Sequence, residues 1–420
     1  VVGYLPSDVP PLKKLLIFGF QHVLTMFPAT VLVAILTHFD VGVTLFASGL
    51  ATVVAVILSG MRIPMYYGSS FSYIAPVTAI VTAYGVKVAQ VGIVATAFVS
   101  IGAGILIRII GKKKLDKILP AWVTGPVAMV IGFALAKAAL DMASQHWIVA
   151  FVTLFSTIAF SVYLRGKGFV GMIPVLLGAI VGYAVGMYFG LVDLTPVAKE
   201  AWLRIPKFSF PDFTNPNALA AVLAIAPIAI ATIPESTAHL YQISVYIDRL
   251  AEEMGRKKLE IKRLIGLNLI LDGLGDLING LLGGCAGTNY GENNSLMVIT
   301  RNYSAAVIVA AGAIAMVLGF VGKLAALIGT LPVAVTGGLA IYLFGVIGLQ
   351  GVALMQSEKV DLFDPKQLAI GAVILIIGIG GAMFPGGNIP IGKWQLPSIA
   401  TAALVGIVLN ALFLLTTKEG

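Results

Sequence analysis

Apolar stretches of about twenty residues, separated by charged residues or by Gly and Pro, run through this chain from one end to the other. Each is long enough to cross the roughly 30 Å hydrocarbon core of a bilayer as a helix, and a helix satisfies its own backbone where lipid offers no partners. The stretches fall near residues 15–38, 41–60, 64–84, 88–111, 120–140, 147–164, 168–192, 218–245, 264–283, 286–301, 303–328, 331–355, 367–385 and 396–416. An all-α polytopic membrane protein of fourteen transmembrane segments is expected, with a polar, Pro-rich connection from Asp193 to Asn217. Composition excludes a soluble class: 59% of the residues are apolar and 11% charged, against about 45–50% and about 25% in soluble chains. The 47 glycines and 20 prolines suit crowded or broken helices, and the single cysteine, Cys285, excludes an intramolecular disulfide and a multi-cysteine metal site. Four histidines argue against zinc.

Charge tests the span count independently. With the N-terminus in the cytoplasm, only Lys87, Lys137, Lys199, Arg204, Lys207, Lys323 and Lys393 of the 27 basic residues fall outside, and twenty fall inside. This is the bias that orients membrane proteins, and one missed span would swap the sides of everything downstream. Both termini are therefore expected in the cytoplasm. The net charge of +8 is topological and needs no nucleic-acid partner. The basic cluster from Arg249 to Arg263 is an orientation signal or, alternatively, a patch for lipid head groups or regulation. The first residues do not run basic, apolar, small, so no signal peptide is expected.

Two stretches do not read as ordinary helices. Gly68-Ser69-Ser70-Phe71-Ser72-Tyr73 lies in the third, and Gly283-Gly284-Cys285-Ala286-Gly287-Thr288-Asn289-Tyr290-Gly291-Glu292 opens the tenth. Both come third in a set of seven, and interruptions at corresponding places in two halves point to a transporter site built from inverted repeats. Glycine-mediated close packing of two unrelated helices is the alternative.

Four acidic residues lie at membrane depth, where they are expensive and functional by default: Glu235, Asp272, Asp276 and Glu292. Glu235 and His239 share a helical face four residues apart, which suits a proton-linked site or a buried structural hydrogen bond. Asp272 and Asp276, also four apart, suit a bond to the broken backbone or a proton relay, and Asn279 resembles them. Gln21 and His22 form a further polar pair in the first span. Glu292 stands at a helix N-terminus, where free N–H groups favour negative charge or a ligand carbonyl. Two carboxylates accept N–H donors, and backbone amides at two chain breaks donate to carbonyls. A small planar ring with alternating N–H and C=O groups matches that set, with Phe71 and Tyr290 available for its faces. An amino acid would need a cation or helix end for its carboxylate, and a sugar more hydroxyl partners. No nucleotide-binding loop is present to drive transport by hydrolysis.

Gln21-His22, Gly68-Ser69-Ser70-Phe71, Pro234-Glu235 with His239, and Thr288-Asn289-Tyr290-Gly291-Glu292-Asn293 followed by Thr300-Arg301 resemble the nucleobase–ascorbate transporter family, in particular its bacterial uracil permeases. The similarity runs over essentially the whole chain. It implies fourteen helices in two inverted repeats of seven, with short antiparallel strands in the broken third and tenth spans. It further implies a core from spans one to four and eight to eleven, and a gate from five to seven and twelve to fourteen. In residues, 1–140 holds the first part of the core and the start of the gate, 141–215 gate, 216–330 core and 331–420 gate. By the same resemblance Glu235 and Glu292 bind the base, the backbone at Phe71 and Gly291 meets its carbonyls, His239 is linked to Glu235 in proton coupling, and Tyr290 supports the site. Gln21, His22, Ser70, Tyr73, Asp272, Asp276, Asn289 and Asn293 are expected to support it too. A homodimer and an elevator-like movement enter from the family alone. Where the family signature has glycine, this chain has Ser295.

The expected function is a proton-coupled symporter importing a nucleobase, uracil first, across the bacterial cytoplasmic (inner) membrane. Its expected partners are the nucleobase, the proton, membrane lipids and a second copy of the chain. The same architecture carrying xanthine, guanine or urate is the alternative, and an uncoupled facilitator would need a continuous hydrophilic path. A membrane enzyme would need a nucleophile, metal set or cofactor site, none of which the sequence offers; no cofactor is expected.

Overall fold

The computed structural model describes residues 3–392 and 394–416; Lys393 and Lys418, two of the basic residues counted above, lie outside them. The helices are α1 (Leu12–Thr37), α2 (Val41–Leu58), α3 (Phe71–Tyr84), α4 (Val86–Ile110), α5 (Ala121–Ala143), α6 (Trp147–Tyr163) and α7 (Pro174–Tyr188), then α8 (Ala218–Glu253), α9 (Ile265–Leu282), α10 (Gly291–Thr300), α11 (Ala305–Gly319), α12 (Val333–Ser357), α13 (Pro365–Gly380) and α14 (Ser398–Thr416). Among the described residues eight helices are long and apolar enough to cross a membrane, and five shorter ones are apolar. The fold is thus a mostly helical, multi-pass membrane architecture. Short helices Lys112–Ile118, Thr195–Lys199 and Gly322–Gly329 lie in the connections.

Local chemistry sets several boundaries. Asp40 caps α2 by accepting from Val43 N–H at 2.9 Å, while α9 stops where Gly283 turns left-handed at φ 100° and returns its N–H to Asn279 O. Pro234 removes one internal hydrogen bond from α8. Two strands interrupt the helices where glycine and small polar residues crowd the third and tenth stretches. Strand β1 (Tyr67–Ser69) pairs antiparallel with β2 (Gly287–Asn289), Gly68 facing Thr288. A second pair, β3 (Asn388–Ile391) and β4 (Trp394–Pro397), forms a hairpin before α14. The sequence reading, which starts a span at residue 396, did not anticipate it: Pro397 ends a strand, and α14 begins at Ser398.

Packing follows a repeated scheme. α9 lies against α4, and α2 against α11; α1 meets α11, and α8 meets α4. Glycine permits the first two contacts. A Cβ on Gly49 would stand 2.4 Å from Gly312 O, one on Gly312 would stand 2.7 Å from Gly49 O, and Gly42 with Gly319 repeats the contact seven residues along. In the other seam Gly104 and Gly266 oppose each other in the same way, followed by Gly273 against Ala97 O. Backbones this close leave no room for a side chain and gain their attraction from dispersion, which is how helices associate in lipid. α5 and α12 make the third such seam, through Gly125, Gly132, Gly348 and Gly351.

Candidate functional site

β1 and β2 cross where α3 and α10 begin, so two helix N-termini meet beside one strand pair. The N–H groups of an α-helix's first turn have no intrahelical acceptor, and those of Gly291, Glu292 and Asn293 open α10. At α3, Ser70 accepts from Ser72 N–H at 3.2 Å and gives its own N–H to Ala286 O at 3.1 Å, setting Phe71 half-buried at the first turn. Glu235 on α8 is half-buried and Glu292 on α10 is exposed. Neither carboxylate has a hydrogen-bonding or ionic partner among the described residues, although Glu235 shares its surroundings with His239 and Glu292.

The other two carboxylates each accept two hydrogen bonds, on one oxygen apiece. Asp276 accepts from Tyr67 O–H at 2.5 Å and from Gly287 N–H at 2.8 Å, tying β1 and β2 to α9. Asp272 accepts from Ser236 O–H and, at 3.3 Å, from Thr288 O–H. Both are buried. The structure therefore places them under the strands as anchors, while Glu235 and Glu292 accept no such bond among the described residues.

His239 approaches β2, with Nδ1 3.0 Å from Asn289 O and 3.1 Å from Asn289 Oδ1. Its Nε2 lies against Gly291, where an added Cβ would stand 2.7 Å away. Asn289 in turn donates to Ser236 Oγ at 2.9 Å and Asn268 Oδ1 at 3.3 Å. His22 of α1 is buried and accepts from Asn293 Nδ2 at 3.0 Å, which joins α1 to α10. Gln21 Oε1 and Asn293 Oδ1 are buried without a partner among the described residues. Tyr73 is buried, its hydroxyl 3.4 Å from that of Thr232.

Tyr290 is also buried. Its hydroxyl donates to Ser69 O at 2.7 Å, pairs with Thr30 Oγ1 at 3.0 Å, and its ring fills the space a Gly68 side chain would occupy, 2.4 Å from the built Cβ. Phe71 is left as the partly exposed aromatic. Tyr67, Ser236 and Asn268 hold the site and were not singled out from sequence, and Thr288, quoted there within the 288–293 motif, was given no role. Asn268 carried a signal: with Asp272 and Asp276 it forms a polar row at four-residue spacing on α9.

The surroundings differ at the two ends. Toward the Arg249–Arg263 end, Ala238, Gln242 and Val245 of α8 and Ser295 and Ile299 of α10 are exposed in line with the two carboxylates. Toward the other end, Val77, Ile80, Ile225 and Ile228 pack in one buried cluster with Val130, Ile131, Phe344 and Ile374. A cavity of about 230 Å³ lies apart from the carboxylates, between α1 residues Phe27 to Ile35 and α7 residues Leu176 to Tyr183.

Known proteins bear on this arrangement. A family model described as the Permease family matches residues 13–387. The chain belongs to the nucleobase–ascorbate transporter family. Among curated members it is 37% identical to the uracil permease of Bacillus caldolyticus, covering 96% of this chain and 93% of that one. It is 35% identical to the uracil permease of Bacillus subtilis (strain 168), over 98% and 95%, and 35% identical to that of Escherichia coli (strain K12), over 97% and 93%. The fold of this family member is shared at lower identity. The transmembrane domain of a cyanobacterium bicarbonate transporter, BicA, matches with a TM-score of 0.59 at 15% identity, over 98% of this chain and all of that one. The murine anion transporter Slc26a9, in an inward-facing state, matches with a TM-score of 0.67 at 12% identity, over 97% and 69%. These permease relatives are transporters, as is this chain, and not enzymes.

Proposed function

We propose that this chain is a proton-coupled symporter that imports uracil across the bacterial cytoplasmic membrane. The observation that carries the reading is the pair of unpartnered carboxylates, Glu235 and Glu292, beside two helix N-termini joined by a strand pair. Uracil has two N–H donors and two carbonyl acceptors in one plane. The carboxylates take the former, and N–H groups at Phe71 and Gly291 take the latter. Phe71 covers the ring; Tyr290 acts from below by holding the carbonyl of Ser69. Relatives named as uracil permeases, aligned over nearly the whole chain, support the same substrate.

The packing scheme supports fourteen spans in two inverted repeats: exchange of the first seven spans with the last seven turns the α4–α9 contact into α11–α2, and α1–α11 into α8–α4. The core is then 1–140, less α5, with 216–330; α5, 141–215 and 331–420 form the gate and, by family precedent, the dimer contact. Both termini lie in the cytoplasm. The exposed faces of α8 and α10 lead from the carboxylates toward that side. Protonation of Glu235, with His239 as its partner, biases which orientation the loaded core prefers as it moves between water and a drier seam.

Uptake of labelled uracil into proteoliposomes under an imposed inward proton gradient tests the proposal, with unlabelled pyrimidines and purines as competitors. Accumulation above the equilibrium level, competed by uracil, is expected. Gradient-insensitive equilibration would make the chain a facilitator, and competition by xanthine or guanine alone would make it a purine carrier.

A further inference from the structure

The hydrogen bonds around His239 define which of its nitrogens is available, and the definition comes from three residues away from the ligand position. Asn289 Nδ2 faces Ser236 Oγ at 2.9 Å and Asn268 Oδ1 at 3.3 Å. Ser236 Oγ gives its proton to Asp272 and also accepts from Asn268 Nδ2 at 2.8 Å, so both of its lone pairs are used by N–H donors. This fixes the Asn289 amide: its nitrogen must face Ser236, and its oxygen must face the imidazole. The ring nitrogen Nδ1 then meets two carbonyl oxygens of one residue, at 3.0 and 3.1 Å. Neither oxygen can donate, so Nδ1 must carry a hydrogen in every charge state of the ring.

We infer that Asn289, oriented by Ser236 and Asn268, is a positioning residue that keeps His239 protonated on Nδ1 and reserves Nε2, beside Gly291, for proton exchange at the site. The inference rests on the reading of Glu235 and His239 as the proton site, and it adds the device that makes the histidine a one-sided acceptor. The titratable groups around the ring are Glu235 on its own helix, Glu292 on α10 and Asp272 on α9. Asp272 is already committed to Ser236 and Thr288, which separates it from the ring by the Asn289 amide. Glycine at 291 is part of the same device, because any side chain there would occupy the place in front of Nε2.

The experiment is nitrogen-15 NMR of the full-length protein labelled at histidine, with the His239 signals assigned by comparison with His239→Gln. At alkaline pH the neutral ring is expected with Nδ1 protonated and Nε2 bare. The reverse tautomer overturns the inference, whether or not the protein carries uracil, so its failure is distinct from failure of the proposed function. Asn289→Asp supplies the second arm. A carboxylate facing Nδ1–H favours the imidazolium, so the pH of half-maximal proton-driven uptake is expected to move about one unit or more to the alkaline side. An unmoved pH profile in an active Asn289→Asp protein also overturns the assignment; if that variant does not fold, the wild-type spectrum alone decides.

Discussion

Removing the hydroxyl of Tyr67 should loosen the crossing of β1 and β2 by a calculable amount. Tyr67 O–H is one of two donors to the buried carboxylate of Asp276, the other being Gly287 N–H. Tyr67→Phe leaves the ring packed against Gly275 and deprives Asp276 of that donor. A buried acceptor left short of a partner costs about 1–3 kcal/mol. The chain contains its own reporter: the single cysteine, Cys285, is buried two residues before β2. Where alkylation passes through local opening, its rate follows the open population. Opening made easier by about 1–3 kcal/mol should raise the alkylation rate about 5- to 150-fold. The assay is the rate of Cys285 modification by a membrane-permeant maleimide in purified protein, compared with Tyr183→Phe, which removes a hydroxyl contact to Thr330 far from the strands. Equal rates in wild type and Tyr67→Phe would show that Asp276 does not hold the crossing together.

Glu292→Gln turns an acceptor oxygen into a donor facing a ring N–H, and uracil affinity is expected to fall about 5- to 150-fold in isothermal titration, from a loss of about 1–3 kcal/mol. Glu235→Gln is a permanently neutral mimic, so proton-driven accumulation in proteoliposomes should vanish while exchange across the membrane persists; undiminished accumulation would move the proton site elsewhere. Tags at either terminus should be protected from protease in intact cells and cut in inverted vesicles. In the loop before α8, the Thr214 hydroxyl and N–H hold the Asp212 carboxyl below its ordinary range. That stabilisation is complete above the ordinary aspartate pKa and is lost as pH falls through the lowered value, so protection of the Thr214 amide should decline with acidification in wild type and lack that component in Asp212→Ala.

The apolar segments were legible because lipid imposes length and composition on each one separately. The broken segments were legible for the opposite reason: Gly68 to Tyr73 and Gly283 to Glu292 violate a pattern kept elsewhere. Burial direction was not legible. Tyr290 has the chemistry to stack on a ligand or to buttress a strand, and only the partners at Ser69, Thr30 and Gly68 distinguish the two. The same holds for the four acidic residues, of which two accept strand donors and two do not; spacing places Asp272 and Asp276 on one face but does not say what covers it. The hairpin at 388–397 was hidden because it fills the short connection between two spans, and its second strand runs into the start of the last one.

Pairing β1 with β2 also fixes an order of events during synthesis. Gly68 must wait for Thr288, and at roughly 5–20 residues per second the interval is about 10–45 s. Throughout it, a polar strand edge lies at membrane depth without its partner. Part of the answer is within the first half of the chain: Ser48 O–H reaches Tyr67 O at 2.8 Å, and Tyr67 N–H reaches Thr52 Oγ1 at 3.0 Å, so α2 can hold one residue of β1 from the moment both are inserted. Gly68 and Ser69 have no such local tether, and a nascent chain halted between the two repeats would present them to whatever insertion machinery or protease is nearby. Ribosome stalling just before β2 should therefore expose this segment to quality control far more than stalling just after α10.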